Sequence, residues 1–199
     1  MSGPTGNPLV MYIDLVRCIG CDACSLACKQ ENNVGSGELW NRVYGAENGT
    51  TTVRVLPMQC QQCEQAPCMD KCTRLGYNAI WRRPDGIVMN DANKCVGCKL
   101  CIPECRYNAM TFNTTLNKAE KCHFCWERVD QGLQPACVQT CLGLTREFGR
   151  YADLIAKHPN AKTMGRNSVH VLYDNMGSRP SAGRGDRPTA GYPDPRPFH

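Results

Sequence analysis

The sequence predicts a loop-rich α+β protein in which short strands and short helices are arranged around cysteine side chains. Three observations lead to this fold class: sixteen cysteines among 199 residues, an internal repeat of cysteine-rich segments, and turn signals between strands of a few residues. Hydrophobic residues make up 42% of the chain and charged residues 21%, which is typical of a globular protein. The length allows one or two small domains.

The sixteen cysteines form four groups of four, and no cysteine is left over. The first and third groups have the spacing C-x2-C-x2-C-x3-C, the second has C-x2-C-x4-C-x3-C, and the fourth has C-x2-C-x11-C-x3-C. In chain order the groups are Cys18, Cys21, Cys24 and Cys28; Cys60, Cys63, Cys68 and Cys72; Cys95, Cys98, Cys101 and Cys105; and Cys122, Cys125, Cys137 and Cys141.

This spacing is typical of cubane iron–sulfur clusters. Cysteines at every third position of a loop can place thiolates on three corners of one cluster, and the fourth cysteine of the run then ligates a neighbouring cluster. We predict that this fourth cysteine stands at the start of a short helix. Because the spacing occurs twice unchanged and twice in an expanded form, the sequence predicts four [4Fe–4S] clusters.

Other uses of cysteine agree less well with the pattern. A disulfide framework is typical of a small secreted chain with a signal peptide, and residues 1–16 lack the features of one. Structural zinc is bound by two C-x2-C pairs separated by a longer loop, so zinc or a vacant site stays open for the fourth group alone. Redox-active dithiols do not occur in sets of sixteen.

The charge balance argues against nucleic-acid binding, and the hydropathy argues against a membrane-spanning segment. The formal charge of +5 treats every thiol as neutral, whereas four clusters of net charge about −2 each would bring the loaded chain to about −3. The basic composition is therefore no indication of nucleic-acid binding. No segment approaches the ~20 apolar residues of a membrane span, so we expect a soluble chain with no span of its own.

Short strands and turns lie around the second and third cysteine groups. Each of these groups is followed, after a predicted short helix and a turn, by the start of a strand at Ile80 or Met110. Between the two groups, Asp85-Gly86 is a hairpin-type turn and Ile87-Val88-Met89 continues as a strand. Groups two and three therefore form an internal repeat of the kind found in ferredoxin modules.

The first and fourth groups lie outside this repeat, and we expect them to partner each other. Val10–Asp14 is predicted as the opening strand and Thr145–Phe148 as the closing strand. Residues 29–57 are interpreted as an insertion that is rich in loops except for a strand over Thr50–Leu56. A short helix is predicted over Tyr151–His158, which ends ahead of a proline.

Several side chains near the cysteines could contact a cluster, but packing or solvent exposure explains them more simply. His123 either donates a hydrogen bond to a cluster or, in the interpretation we favour, packs or faces solvent. No residue is a candidate catalytic nucleophile. Lys94 and Lys121 directly precede cysteines and could raise the potential of a nearby cluster, but a solvated surface position is the simpler account. The other expectations are surface positions for His158, His170 and His199, and cluster-covering core positions for Tyr77 and Tyr107.

The four groups in this order, with Met11–Leu15 before the first and Asp85–Val88 before the third, resemble a known family. They are similar to the four-cluster electron-transfer subunits of the dimethyl sulfoxide reductase family of molybdenum or tungsten enzymes. Relatives include the corresponding subunits of polysulfide, thiosulfate, tetrathionate and arsenate reductases, pyrogallol–phloroglucinol transhydroxylase and catechol dehydroxylases. The resemblance covers residues 9–150 and implies a non-catalytic subunit that relays electrons to or from a large catalytic subunit carrying molybdenum or tungsten on bisPGD.

The resemblance also implies how the cysteines are shared between clusters. In the family, ligands are exchanged between two paired clusters in each of two modules. The implied ligand sets are Cys18, Cys21, Cys24 and Cys141 for cluster 1; Cys28, Cys122, Cys125 and Cys137 for cluster 2; Cys60, Cys63, Cys68 and Cys105 for cluster 3; and Cys72, Cys95, Cys98 and Cys101 for cluster 4.

The implied fold is two bacterial-ferredoxin-like modules related by a pseudo-twofold axis, with an extended C-terminal tail. Residues 9–35 with 115–150 would form the outer module and 36–114 the inner module. Residues 151–199 would form an extension whose tail, rich in proline, glycine and arginine from residue 177, binds a partner.

The chain departs from the family at the residues after the fourth cysteines. Proline usually follows several of these cysteines, whereas Lys29, Thr73, Arg106 and Leu142 stand there in this chain. Because proline supplies no amide donor, we expect altered hydrogen bonding near the clusters, and hence altered potentials, without loss of binding.

Three questions stay open at this point. A free-standing soluble polyferredoxin, or a ferredoxin for metalloenzyme maturation, would use the same ligands. The compartment is either cytoplasmic or, by co-export with a signal-bearing catalytic partner, extracytoplasmic. A membrane-anchor quinone subunit is neither required nor excluded.

Overall fold

The computed structural model describes residues 6–46, 54–165 and 167–176. Over these residues the chain forms short helices and short strands in small sheets, as the α+β prediction expects. In chain order they are β1 (Leu9–Asp14), α1 (Ala23–Glu31), β2 (Asn41–Ala46), β3 (Arg54–Gln59), α2 (Pro67–Arg74), β4 (Ile80–Arg82), β5 (Val88–Asn90), β6 (Met110–Asn113), β7 (Lys118–Lys121), α3 (Trp126–Val129), α4 (Ala136–Gln139), β8 (Arg146–Arg150), α5 (Tyr151–Lys157), β9 (Lys162–Thr163) and β10 (Val171–Asp174).

The largest sheet has the strand order β8-β1-β10-β9. Strand β1 is antiparallel to β8 and parallel to β10, so that Met11 is opposite both Phe148 and Val171. Since side chains alternate along a strand, Val10 and Tyr12 face one side of the sheet while Met11 and Ile13 face the other. All four are buried, because α5 packs on the first side and the cysteine-rich core on the second.

Three antiparallel hairpins surround this sheet: β2 with β3, β4 with β5, and β6 with β7. The predicted turn at Asp85-Gly86 joins β4 to β5. Gly86 has φ +93°, and a Cβ there would lie 2.5 Å from Cε1 of His170 and 2.8 Å from Cβ of Pro8. Only glycine fits this turn, because it has both the positive φ and the close packing.

The predicted helix positions relative to the cysteines are wrong. The fourth cysteine does not begin a helix: Cys28 lies in the second half of α1, Cys72 lies near the end of α2, and a turn follows Cys105. The physical reason is that the third and fourth cysteines are four residues apart. On one helix this spacing places both thiols on the same face, one turn apart.

The remaining strand and helix predictions are confirmed in part. Strand β1, the closing strand β8 and the helix α5 lie where the sequence indicates. The insertion holds a second strand, β2, which pairs with β3, and the predicted strand over 50–56 is observed only from Arg54 onward because 50–53 lie outside the described residues. The proposed tail from residue 177 also lies outside them. No helix in the described ranges is long and apolar enough to cross a membrane.

Candidate metal centres

Three cavities are each lined by four cysteines from two different groups. They have volumes of about 300, 460 and 360 Å³, including their open mouths. We call them site 1 (Cys18, Cys21, Cys24 and Cys141), site 3 (Cys60, Cys63, Cys68 and Cys105) and site 4 (Cys72, Cys95, Cys98 and Cys101).

The other four cysteines, Cys28, Cys122, Cys125 and Cys137, are all buried, and we call them site 2. Burial, and after it the neighbouring thiols of Cys137 and Cys125, raise the pKa of the Cys28 thiol. The Nδ2 atom of Asn32 lies 3.7 Å from the sulfur atoms of both Cys28 and Cys125. These four thiols are therefore neighbours in the interior.

Burial makes isolated thiolates unfavourable at these sites. It raises the pKa of Cys68 and of Cys101 to about 12 and that of Cys137 to about 11. Cys141 differs: burial raises its pKa, but hydrogen bonds from the Thr145 hydroxyl and amide outweigh this effect and lower it. Binding iron would therefore have to displace protons from most of these thiols and supply the positive charge that they lack.

The donor geometry fits a cluster better than a single ion. Among the described residues, no three His, Cys, Asp or Glu side chains converge closely enough to hold one metal ion. The cysteines instead stand around cavities. Three buried donors in the described part of the chain, Trp40 Nε1, Asn41 Nδ2 and Gln59 Nε2, lack an acceptor there. Such N–H groups are the kind that donates to cluster sulfur.

The helices that carry two cysteines join neighbouring sites. Cys24 and Cys28 lie one turn apart on α1 and belong to sites 1 and 2, and Cys68 and Cys72 on α2 belong to sites 3 and 4. Sites 2 and 3 also adjoin each other, because Gln62, which stands between Cys60 and Cys63 of site 3, donates to the carbonyl oxygen of Cys122 in site 2. The sites therefore follow one another in the order 1, 2, 3, 4.

Two buried cations lie between these sites. Arg146 is 4% exposed, lines site 1, and has its Nη2 3.7 Å from the sulfur of Cys24. Lys121 is 2% exposed and donates to the carbonyl oxygens of Val88 and Cys122, so its predicted surface position is wrong. Lys94, with 60% of its side chain exposed, is on the surface as predicted.

The histidines are more buried than their sequence context indicates. His123 packs edge-on against Trp40, and burial lowers its pKa to about 4, so the packing interpretation agrees with the structure and the solvent-facing one does not. His170 is wrongly predicted as a surface residue: it is 1% exposed, and its Nε2 lies 3.2 Å from Glu64 Oε2.

His158 is also not an ordinary surface residue, because it is half-buried and stacks on the ring of Tyr12. His199 lies outside the described residues. Of the two tyrosines predicted as cluster-covering core, Tyr107 is buried in the wall of site 3, whereas Tyr77 is 38% exposed at site 4. The repeat position alone did not indicate this difference.

Sequence reasoning missed the polar interior around sites 1 to 3. Arg146, Asn41 and Gln59 carry no motif, and each is the first or last residue of a short strand. Gln62, which accepts from the amide of Val88 and donates to the carbonyl of Cys122, is also fully buried. The one available signal is that Gln59 directly precedes Cys60 and Gln62 directly precedes Cys63, within a cysteine-rich run that is expected to be buried.

Sites 1 and 4 each open at the surface among exposed apolar side chains. The thiols of Cys21 and Cys98 are exposed. Gly143 approaches the backbone of Arg17, which brings two apolar segments together beside site 1. The exposed apolar residues of these two segments, together with Leu26, are called the site 1 rim (Val16, Ile19, Leu26, Leu142 and Leu144). The exposed apolar residues near site 4 are called the site 4 rim (Leu75, Tyr77, Val96 and Leu100).

Comparison with known proteins agrees with these centres. Residues 51–151 match the 4Fe-4S dicluster domain family. A subunit of the tetrathionate reductase of Salmonella typhimurium is 35% identical over 89% of this chain and 72% of its own length. The thiosulfate reductase electron transfer subunit of Salmonella typhi is 38% identical, covering 72% and 77%. A subunit of the anaerobic dimethyl sulfoxide reductase of Escherichia coli K12 is 32% identical, covering 91% and 93%.

The dicluster domain, together with the paired thiol sites, defines an iron–sulfur electron-transfer protein. Among such proteins, the chain belongs to the family of iron–sulfur subunits of dimethyl sulfoxide, tetrathionate and thiosulfate reductases. Its relatives are iron–sulfur subunits of reductase complexes, which agrees with the expected role as a non-catalytic subunit.

Proposed function

We propose that this chain relays electrons through four [4Fe–4S] clusters to or from a large catalytic subunit that carries molybdenum or tungsten on bisPGD. The observation that carries the proposal is the single row of four thiol sites whose two end members open at the surface. The names of the relatives, all subunits of reductases, support a catalytic partner.

The proposed ligands are the four cysteines of each site. Each cluster, when bound, accepts and releases one electron. The chain supplies four thiolates per cluster, buries all four cysteines of site 2, and provides buried N–H donors for cluster sulfur. The exchange of cysteines between neighbouring sites, through α1 and α2, supports this assignment.

We also propose the modular division that the family resemblance implies. Helix α1 joins sites 1 and 2 of an outer module (9–35 with 115–150), and α2 joins sites 3 and 4 of an inner module (36–114). The repeated arrangement of a helix between two sites supports a pseudo-twofold relation. The extension from residue 151 is tied to the outer module, since β10 pairs with β1.

The two rims are proposed as the docking surfaces of two redox partners. Exposed apolar side chains that are grouped around an opening are typical of protein interfaces. One rim would contact the catalytic subunit. The other rim would contact the electron donor or acceptor of the complex, for example a membrane-anchor quinone subunit. A partner-binding role for residues 177–199 rests on their composition alone.

Metal analysis of the complex purified anaerobically from its native source tests this proposal. We expect about sixteen iron and sixteen sulfide per chain, and about one molybdenum or tungsten in a co-purifying large subunit. The same iron content in a chain that purifies alone would support the free polyferredoxin instead. Zinc in place of iron would contradict the cluster assignment.

A further inference from the structure

Arg146 is a cation that is buried in the interior of the chain. Its side chain lies at the start of β8 and is 4% exposed, and no carboxylate of the described residues lies within ion-pair distance of it. A guanidinium removed from water normally needs an anion, because the loss of hydration costs several kcal/mol. The charge of Arg146 therefore requires an anionic neighbour.

The neighbours that meet this requirement are thiolates of two sites. Nη2 of Arg146 is 3.7 Å from the sulfur of Cys24 in site 1, and Cys141 of the same site lines the same cavity as Arg146. Site 2 adjoins the same guanidinium, because its Cys28 lies one turn along α1 from Cys24. Arg146 thus faces two neighbouring sites at once.

Neutral side chains hold the guanidinium in this position. Nη1 donates to Gln59 Oε1 at 3.2 Å, and Nη2 donates to Asn41 Oδ1 at 3.0 Å. These two residues are directly opposite each other on the β2–β3 hairpin. Because both acceptors are amides, they fix the direction of the side chain without cancelling its charge.

We propose that Arg146 is the shared counter-charge of sites 1 and 2 and raises the reduction potentials of both clusters. Reduction adds one electron to a cluster from the redox partner, with no bond made or broken and no proton taken up. A fixed positive charge beside the cluster stabilises the more negative, reduced form. This inference rests on the ligand sets proposed above.

The potentials of the four clusters in Arg146→Gln test the inference, measured by redox titration followed by electron paramagnetic resonance on the intact complex. At a fixed applied potential we expect the ratio of reduced to oxidised cluster to fall about tenfold for two of the four clusters. This corresponds to about 59 mV for one electron. Arg146→Lys keeps the charge and should leave all four potentials close to those of the unchanged protein.

Two further variants make the test decisive. Gln59→Glu retains Arg146 but places a carboxylate against its guanidinium, so it should lower the same two potentials even if Arg146→Gln fails to assemble. Arg150→Gln removes an equal charge from an exposed position on the same strand and should leave the potentials unchanged.

Iron content separates this inference from the ligand proposal. An iron count that disagrees with four clusters in the unchanged protein would contradict the ligand sets. Unchanged potentials in fully loaded Gln59→Glu, or in fully loaded Arg146→Gln, would overturn the role of Arg146 and leave the ligand sets intact.

Discussion

The end sites and the middle sites are built from the same ligands but in opposite surroundings. Sites 1 and 4 each contain one exposed cysteine, Cys21 or Cys98, with exposed apolar residues around it. Sites 2 and 3 contain no exposed cysteine, and buried polar side chains such as Lys121 and Gln62 lie between them. Under the proposed function, this difference corresponds to a division of roles: the middle sites are shielded within the chain, and the end sites are accessible to partners.

The largest difference between the middle sites and the end sites is expected when one cysteine ligand is removed from each. Cys122→Ser removes a buried thiol of site 2 that adjoins site 3, whereas Cys98→Ser removes an exposed one. We expect Cys122→Ser to prevent assembly of the core, because metal binding and folding are coupled. Cys98→Ser should alter one cluster and cost at most about four irons.

Iron content and thermal unfolding, measured under anaerobic conditions, distinguish the two variants. Equal losses of iron and equal unfolding temperatures would show that burial of the ligand does not matter. The comparison between middle and end sites would then lose its physical basis.

The second prediction concerns partner binding at the site 1 rim. Leu142→Asp combined with Leu144→Asp removes two leucines that are 72% and 69% exposed. Burial of a leucine at an interface contributes about 1.5–3 kcal/mol, so binding of the partner at this end should weaken by roughly a hundredfold or more.

Co-purification and titration of the separated subunits measure this effect, and the cluster spectrum of the isolated chain should not change. Aspartates at Leu116 and Leu133, which are also exposed but do not belong to the site 1 rim, serve as the matched control. If the control pair weakens binding as much as the rim pair, the rim is not a docking surface.

The third prediction compares a buried and an exposed lysine beside cysteines. Lys121→Met leaves the carbonyl oxygens of Val88 and Cys122 without their buried donor. The free energy of unfolding should fall by about 1–3 kcal/mol, the usual effect of such a loss. Lys94→Met, at an exposed position before Cys95, should change it little. Denaturant titration compares the two, and equal effects would argue against a structural role for the buried ammonium.

The smallest expected effect is a pH dependence of the free energy of unfolding. It is caused by His170, which contacts Glu64 next to the site 3 cysteine Cys63. Burial lowers the pKa of His170 below its ordinary value, against the hydrogen bond to Glu64, which raises it. Above about pH 6.5 the ring is neutral in both states. As the pH falls through that value, the unfolded chain takes up a proton before the folded chain does, so the free energy of unfolding decreases.

His170→Gln should reduce this loss of stability between about pH 7.5 and 5.5. Unfolding temperatures at the two pH values, measured for both proteins in one buffer system, provide the test. An unchanged slope would mean that other groups determine the acid sensitivity of the fold.

The features of this fold that depend on neighbouring residues could be predicted from the sequence. Cysteine spacing indicated the groups, and turn chemistry located the β4–β5 hairpin, because both depend on residues close together in the chain. Strand β10 was not predicted, since it is stabilised by pairing with β1 across some 160 residues. The burial of Arg146, Lys121 and His170 was missed for the same reason: each charge or ring is accommodated by groups from distant segments.

The position of β1 in the middle of its sheet has a consequence for biosynthesis. Both neighbours of β1, strands β8 and β10, are translated more than 130 residues after it. The cysteines of sites 3 and 4 span only residues 60–105, so the nascent chain can complete these sites while β1 is still unpaired. Iron would therefore be inserted first at sites 3 and 4, in the middle of the chain. Site 1, which contains the first cysteine of the chain and also needs Cys141, would be completed last.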